Sequence, residues 1–323
     1  MRLLDDPLFL HFGASLVATL LLPLALLVWL VARPPATDVF LGSYALGLLM
    51  AAYGLWFRRR LVRVRTIDVP IAGLAPAFDG YRIVQLSDLH IGSLDRREQG
   101  LGWARRANAL SPDLAVVTGD FVSSGTAYYE DAAQVTAALT APDGTLAVLG
   151  NHDQWDEKAL IAALEARGVT VLCNEWRRIE RDGAELVIAG LDDAYAGRAD
   201  LDSALRDRPS GAATILLAHY PSAFALAAER GVELTLSGHT HGGQIGVPFL
   251  AQRLNFARLF GQASRGLQSR GKSHLYVSAG LGTSGPPLRL GVPPEIALIV
   301  LRRAKEPGAI GEADPGRDAA TPP

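Results

Sequence analysis

Two long apolar stretches lie near the start of the chain, and their length predicts membrane helices. The first runs from Leu8 to Ala32 with no charged side chain, and the second runs from Val39 to Phe57, also without charge. A helix needs about 20 apolar residues to cross the hydrocarbon core of a bilayer. A short polar turn, residues 33–38, separates the two stretches. We therefore predict an N-terminal transmembrane helical hairpin over residues 1–57.

The same pattern has an alternative interpretation, in which a cleaved signal peptide precedes a helix buried in a soluble core. Asp5 and Asp6 argue against it, because a signal peptide begins with a basic leader. The first stretch is also long for such a peptide, and a second apolar stretch follows it. A twin-arginine export signal is not indicated, since the arginines at 58–60 come after the apolar stretches.

From about residue 81 the pattern changes to short apolar runs that alternate with helical stretches, which is typical of an α/β domain. Strands are predicted at 82–86, 114–118, 145–149, 186–189, 214–218, 233–236, 275–278 and 296–301. Helices are predicted at about 96–110, 129–139, 156–167 and 221–229. The turn at residues 181–184 contains Asp-Gly and predicts a hairpin, so we expect mixed rather than purely parallel sheets.

These patterns divide the chain into four segments. After the hairpin, residues 58–80 are first basic and then contain Pro and Gly, which indicates a linker. Residues 81–303 form the α/β domain. Residues 304–323 are rich in Pro, Gly, Ala and charge, and we predict a disordered tail there.

Composition narrows the function classes. The net charge is -2, so no basic excess indicates a nucleic-acid partner. The single cysteine, Cys173, excludes an intramolecular disulfide framework and a thiolate metal cluster. A transporter is also disfavoured, because the apolar stretches contain no ionisable residue beyond His11 that could line a pathway.

Polar clusters follow five of the predicted strands directly. They are Ser87-Asp88-Leu89-His90, Gly119-Asp120, Gly150-Asn151-His152-Asp153, Ala218-His219-Tyr220-Pro221 and Ser237-Gly238-His239-Thr240-His241. Taken alone, each cluster could be a helix cap or a surface histidine. Loops at the carboxyl ends of strands converge in α/β folds, and most of the seven histidines lie in these clusters. Together they predict one site.

The ligand types in these clusters predict the class of metal. Carboxylate, imidazole and amide oxygen together suit Mn²⁺, Fe or Zn²⁺, whereas Ca²⁺ prefers oxygen alone. Asp88 and His90 are two residues apart, as are His239 and His241. In an extended segment this spacing places both side chains on one side, so each pair could face one metal cluster.

The ordered motifs Asp-x-His, Gly-Asp, Gly-Asn-His-Asp, His and Gly-His-x-His resemble those of the calcineurin-like metallophosphoesterase superfamily. All five occur in order across residues 86–241, and similarity extends through Gly242-Gly243-Gln244 and Gly280-Leu281-Gly282-Thr283. The chain looks most similar to the membrane-associated YkuE/YaeI-like phosphodiesterase branch. That resemblance implies two mixed β-sheets packed as a sandwich flanked by helices.

The resemblance also implies two divalent metal ions and a role for each motif residue. The first ion would be held by Asp88, His90, Asp120 and His241. The second would be held by Asp120, Asn151, His219 and His239. His152 would be the catalytic histidine beside the leaving group, and Asp153 could orient its imidazole. Two such cations lower the pKa of water and provide a nucleophile at neutral pH.

The implied function is metal-dependent hydrolysis of a phosphodiester or pyrophosphate, and a relative of this branch acts on the lipid-linked substrate UDP-2,3-diacylglucosamine. The alternatives are a tethered generic phosphodiesterase and a catalytically silent metal-binding membrane scaffold. Arginines follow the second apolar stretch at 58, 59, 60, 63 and 65, whereas the turn holds only Arg33. This bias predicts a multi-pass protein of the bacterial inner membrane with the domain on the cytoplasmic face.

Overall fold

The two apolar stretches form a pair of antiparallel helices in the computed structural model, which describes residues 2–247, 250–251 and 253–304. Helix α1 spans Arg2–Ala32 and helix α2 spans Ala36–Ala52. A π-helical segment, Tyr53–Phe57, and a 3₁₀ turn, Arg58–Arg60, continue α2 toward the domain. Both helices are long and apolar enough to cross a membrane, as the sequence predicts.

Small residues allow the two helices to approach closely. A Cβ atom on Gly47 would lie 2.5 Å from the carbonyl oxygen of Ala14. A Cβ atom on Gly13 would lie 3.0 Å from Cβ of Ala51. Apolar helices in lipid gain little from hydrophobic burial against each other, so close backbone packing contributes most of their association.

The domain contains two six-stranded mixed sheets, as the sequence predicts. The first has the order β1-β12-β2-β3-β4-β5 and the second has the order β10-β11-β9-β8-β7-β6. The strands of the first sheet are β1 (Arg63–Ile71), β2 (Arg82–Leu86), β3 (Leu114–Thr118), β4 (Thr145–Val148), β5 (Val169–Val171) and β12 (Glu295–Arg303). Those of the second are β6 (Glu175–Arg181), β7 (Ala184–Gly190), β8 (Ala213–Leu217), β9 (Leu234–Ser237), β10 (Gly266–Arg270) and β11 (Ser273–Val277).

The sheets pack face to face and helices cover their outer faces. Buried residues of both sheets, such as Ile83 and Leu114 of the first and Ile188 and Ile215 of the second, share one hydrophobic cluster. The outer helices are α3 (Arg97–Asn108), α4 (Tyr129–Ala137), α5 (Glu157–Glu165), α6 (Leu201–Ala204) and α7 (Phe224–Glu229), whereas the short helix α8 (Phe256–Leu259) packs near the hairpin. Helices α3 to α5 pack on the first sheet, and α6 and α7 pack on the second.

The segment 58–80 is not simply a linker, contrary to the sequence-based interpretation. Its residues Arg63–Ile71 form strand β1, which pairs in parallel with β12 along its whole length. Charged residues and Pro70 interrupt the apolar pattern by which a strand is recognised in the sequence. An edge strand tolerates both, because one side of it needs no hydrogen-bond partner. The predicted tail falls outside the described residues from 305 onward.

The helical hairpin packs directly on the domain. Val17 of α1 and Leu55 beyond α2 join Ile245, Leu288 and Leu290 in one hydrophobic cluster. The ion pair between Arg59 and Asp95, whose nearest nitrogen and oxygen are 2.8 Å apart, is buried at the same junction. The domain is therefore held against the helices by side-chain contacts as well as by the covalent connection that follows α2.

Candidate metal centre

The five predicted polar clusters meet at one edge of the sandwich. Strands β2, β3 and β4 of the first sheet run parallel, as do β8 and β9 of the second. Each of the five clusters begins at the carboxyl end of one of these strands. Because the sheets face each other, loops from both sheets reach the same place, as the strand-end argument predicts.

One group of four side chains lies within metal-binding distance and is buried. A ligand atom from each of Asp88, His90, Asp120 and His241 lies within 4.8 Å of the others. Nε2 of His241 is 3.1 Å from Nε2 of His90 and 3.4 Å from Oδ1 of Asp88. Ligand atoms that bond one cation at about 2.0–2.2 Å necessarily lie roughly 3 Å apart, so these spacings fit a metal site.

A second group adjoins the first through the Asp120 carboxylate. Oδ1 of Asn151 lies 3.3 Å from Nε2 of His219 and 3.1 Å from Nδ1 of His239. Oδ2 of Asp120 is 3.3 Å from Nε2 of His219 and 3.6 Å from Nε2 of His90. The carboxylate therefore lies between one histidine of each group.

The protonation of two of these histidines, His90 and His241, supports the fit of a cation. Burial lowers the pKa of His90 to about 4, and it lowers the pKa of His241 well below the usual value. Both imidazoles are then neutral near pH 7, yet their Nε2 atoms are directed at each other. A divalent cation between them would accept both lone pairs, which is the arrangement that neutral histidine ligands need.

Electrostatics also favour a cation between the carboxylates. Burial opposes ionisation of Asp120, but the positive charge of His219 and its hydrogen bond outweigh burial and lower the pKa of Asp120. Burial raises the pKa of Asp88 to about 6. Two buried carboxylates at one site repel each other, and positive charge relieves that repulsion. The backbone N–H of His239 already donates to both oxygens of Asp88, at 3.0 and 3.2 Å.

Five of the candidate ligands adopt left-handed backbone conformations. The φ angles are 52° at Asp88, 47° at His90, 58° at Asp120, 70° at His239 and 49° at His241. Such values are uncommon outside glycine, and strained backbone of this kind concentrates at functional sites. The expectation that an extended backbone places residues two apart on one side is therefore wrong here, because these segments are not extended. The tight turns, rather than strand alternation, direct the side chains to the centre.

His152 lies beside the centre, outside both groups. Its Nδ1 is 2.7 Å from the carbonyl oxygen of Ser123, which assigns the proton to Nδ1 and leaves the Nε2 lone pair free. Nε2 is 3.5 Å from Oγ of Ser284. The ring meets that of His90 edge to face, with centroids 4.7 Å apart. His152 can therefore exchange a proton at Nε2 next to the metal groups.

Asp153 has a different position from the one suggested by the motif. Its carboxylate accepts backbone N–H groups of Asp120, Phe121 and Gly150, at 2.9, 2.9 and 2.8 Å. It thus holds the Asp120 turn against the loop after β4, and Ser123 orients His152 instead. The sequence gives no means of distinguishing these two roles.

Arg289 supports the centre and was missed by the sequence analysis. Its side chain is fully buried, and burial lowers its pKa to about 10, so it stays charged. Nη1 donates to the carbonyl of Ala279 at 2.9 Å and Nη2 donates to that of Gly282 at 2.6 Å. The N–H of Gly282 in turn donates to the carbonyl of Asp88 at 2.7 Å. No motif in the sequence marks this arginine.

Comparisons with known proteins agree with this geometry. The family model for calcineurin-like phosphoesterases matches residues 81–243. The chain is 34% identical over 272 residues to the uncharacterized metallophosphoesterase YkuE of Bacillus subtilis, covering 81% of this chain and 94% of that protein. It is also 34% identical over 276 residues to the Bos taurus "transmembrane protein with metallophosphoesterase domain", covering 79% of this chain and 61% of the bovine protein.

The same comparisons bear on the two apolar helices. The bovine relative is named as a transmembrane protein, and this chain has two helices long and apolar enough to cross a membrane. Together these findings indicate membrane association. The matched region contains all of the strand-end clusters and ends just beyond His241. The chain belongs to the calcineurin-like phosphoesterase family and is a metal-dependent phosphoester hydrolase.

Proposed function

We propose that this chain hydrolyses phosphodiester or pyrophosphate bonds with two divalent metal ions held side by side. The proposed ligands of the first ion are Asp88, His90, Asp120 and His241. The proposed ligands of the second are Asp120, Asn151, His219 and His239. The observation that carries the proposal is the position of Oδ2 of Asp120, which lies 3.6 Å from Nε2 of His90 and 3.3 Å from Nε2 of His219.

When bound, a pair of divalent cations acts as a Lewis acid and supplies a nucleophile at neutral pH. The residues of the chain provide the rest. The carboxylates of Asp88 and Asp120 offset only part of the charge of two such ions, so the site attracts an anionic phosphoester. The Asp153 carboxylate holds the Asp120 turn through its backbone N–H groups, which keeps the shared ligand in place.

We assign His152 the role of general acid. The Ser123 carbonyl binds its Nδ1–H, so Nε2 is the atom that can carry a proton to a leaving oxygen. The ring is partly exposed, unlike those of His90 and His219, and a substrate could reach it. General acid catalysis of this kind contributes about 10²–10⁴-fold to a rate.

Hydrolysis is tested with bis-p-nitrophenyl phosphate on the full chain in detergent. The chain is stripped with a chelator and then supplied with Mn²⁺, Fe²⁺ or Zn²⁺ separately, while elemental analysis counts the ions bound. We expect turnover only after metal return, with about two ions per chain. Metal binding without turnover on any diester or pyrophosphate would instead identify a metal-binding scaffold.

We further propose that the substrate is lipid-linked, such as UDP-2,3-diacylglucosamine. An apolar cavity of about 330 Å³ lies between the hairpin and the loop that follows His241, and its lining includes Leu20, Met50, Ile245 and Leu254. Ile245 is four residues beyond His241. An acyl chain in this cavity would lie against the segment that follows the proposed ligand His241, and burial of apolar surface there would favour its binding.

The lipid proposal is tested by comparing kcat/KM for the diacylated substrate and its deacylated analogue. Leu20→Trp should fill the cavity and remove the preference for acyl chains. Leu24→Trp is the matched control, because Leu24 is similarly exposed on the same helix but does not line the cavity. Equal kcat/KM for both substrates in the unaltered chain would leave only a tethered generic phosphodiesterase.

A further inference from the structure

A second cavity, distinct from the metal centre, lies where the continuation of α2 meets the domain. We call it the basic cavity. Its volume is about 690 Å³. One side consists of residues of α2 and its continuation, and three arginines are among the lining residues. The residues that matter here are Leu49, Met50, Tyr53, Arg58, Arg63 and Arg265.

No described acidic residue forms an ion pair with any of the three arginines. Within the part of the chain that the structure describes, none of their nitrogens forms an ion pair with a carboxylate within 4.0 Å. Glu295 influences Arg265 electrostatically, but its carboxylate already faces Arg65 at 3.7 Å and accepts the hydroxyl of Tyr276 at 2.5 Å. The basic cavity therefore carries the positive charge of three arginines, which Glu295 offsets only in part.

Arg265 has buried nitrogen atoms that lack hydrogen-bond acceptors in the described part of the chain. Its Nε and Nη1 atoms are buried, and neither has a hydrogen-bond partner among the described residues. Buried donors without partners are costly, and the cost is larger for a charged group. Because Nε and Nη1 are closed off from solvent, an anion in the cavity would reach the guanidinium through Nη2, and its charge would lower the cost of the buried cation.

The other side of the basic cavity indicates where that anion comes from. Leu49 is 71% exposed and Tyr53 is 49% exposed, and both belong to the second candidate membrane span. Arg58 follows directly at the end of that span, where lipid headgroups lie. A soluble phosphate would use the arginines and leave the apolar side without a contact. A phospholipid would use both, with its phosphate at the arginines and its acyl chain along the helix.

We propose that the basic cavity binds the phosphate group of an anionic phospholipid from the surrounding bilayer. Arg63 and Arg265 contact the phosphate oxygens from the domain, and Arg58 does so from the end of the span. The bound lipid joins hairpin and domain. The lipid also restrains the loop that carries His239 and His241, because it binds Arg265. Arg265 packs closely on that loop, where a Cβ atom on Gly242 would lie only 3.0 Å from Cδ of Arg265.

Native mass spectrometry of the full chain in a neutral detergent tests the proposal without relying on hydrolysis. Phosphatidylglycerol and phosphatidylcholine are titrated separately, and bound lipid is counted. We expect one tightly retained phosphatidylglycerol, with affinity at least about tenfold lower in Arg63→Gln/Arg265→Gln, because two charge-assisted hydrogen-bond donors are lost. Should that variant misfold, Arg58→Gln/Arg63→Gln serves in its place with the same expected loss.

Arg60→Gln is the matched control, since Arg60 follows the same span and is exposed but does not line the cavity. It should retain phosphatidylglycerol as the unaltered chain does. Equal loss in Arg60→Gln would overturn the proposal in favour of diffuse attraction to anionic lipid. Displacement of the lipid by millimolar inorganic phosphate would show a site for free phosphate instead. Equal retention of both lipids by every variant would also overturn it.

Discussion

At the scale of single residues, Asp120 has the most connections in the candidate centre. Its Oδ2 lies between His90 and His219, and its Oδ1 accepts the backbone N–H of His152 at 2.9 Å. Its own backbone N–H is held by Asp153. One side chain thus links both metal groups and the loop that carries the proposed general acid.

The first prediction is that Asp120→Ala loses activity and metal at both sites. Removal of the shared carboxylate leaves two cations without an anionic group between them. Elemental analysis should give well under two ions per chain, with unchanged circular dichroism. Asp202→Ala removes the same charge from a surface ion pair with Arg230 and should retain both metal and activity. Full metal content and normal turnover in Asp120→Ala would contradict the shared role.

The second prediction separates proton transfer from metal binding. His152→Ala should keep the metal content of the unaltered chain, because His152 lies outside both groups. Its rate on substrates with alkoxide leaving groups should fall about 10²–10⁴-fold. The loss should shrink for p-nitrophenolate, which leaves without a proton. A variant that loses metal, or that slows equally with both leaving groups, would show that His152 is not the general acid.

At the scale of elements, the strand ends determine how closely the five loops approach. The loop after β9 passes the loop after β2 at Gly238, whose position leaves no room for a side chain. A Cβ atom there would clash with Oγ of Ser87 and lie 2.5 Å from Oδ2 of Asp88. The glycine is required by this contact between two sheets, and not by its own φ angle.

The third prediction follows from that contact. Gly238→Ala should displace the Asp88 carboxylate and lower metal occupancy, while the thermal unfolding midpoint falls by only a few degrees. Gly102→Ala is the control, because Gly102 lies in α3 with only the flexible end of Arg105 nearby. That substitution should stabilise the helix by about 0.5–1 kcal/mol and leave metal binding unchanged. Unaltered occupancy in Gly238→Ala would mean that the two loops can separate without cost.

At the scale of the whole molecule, the contact between hairpin and domain is the main feature. Val17 lies midway along α1, yet it packs against Ile245 and Leu288 of the domain. Leu259 at the end of α8 and Phe260 directly after it are 70% and 79% exposed. If α1 spans a bilayer, this apolar part of the domain must enter the bilayer beside the helix, and these exposed side chains would then face lipid.

The fourth prediction concerns the side of the membrane. The arginines at 58, 59, 60, 63 and 65 outnumber Arg33 of the turn, which favours the cytoplasmic face for the domain. A green fluorescent fusion after residue 304 should fluoresce in bacteria, and an alkaline phosphatase fusion at the same point should be inactive. The reverse pair of results would place the domain outside. Arg59 is a poor choice for charge reversal, because its ion pair with Asp95 is buried.

The sequence by itself determined the candidate hairpin, the α/β class and the residues that meet in the candidate metal centre. Apolar length, strand periodicity and five ordered motifs are local properties, and each can be read within a few residues. Confirmed strands such as β3 and β8 are fully buried, and each is apolar apart from one threonine. The motif residues were identifiable because their chemistry is unusual at strand ends, even though the backbone conformation that presents them was not.

Only the tertiary structure decided the features that depend on contacts between distant segments. Strand β1 is stabilised by pairing with β12, more than 200 residues away, and its own sequence is too polar to reveal it. The roles of Asp153 and Arg289 depend on which backbone groups lie within hydrogen-bond distance. The basic cavity likewise exists because α2 ends against the loop that carries Arg265. Such proximity follows from packing, which no local pattern specifies.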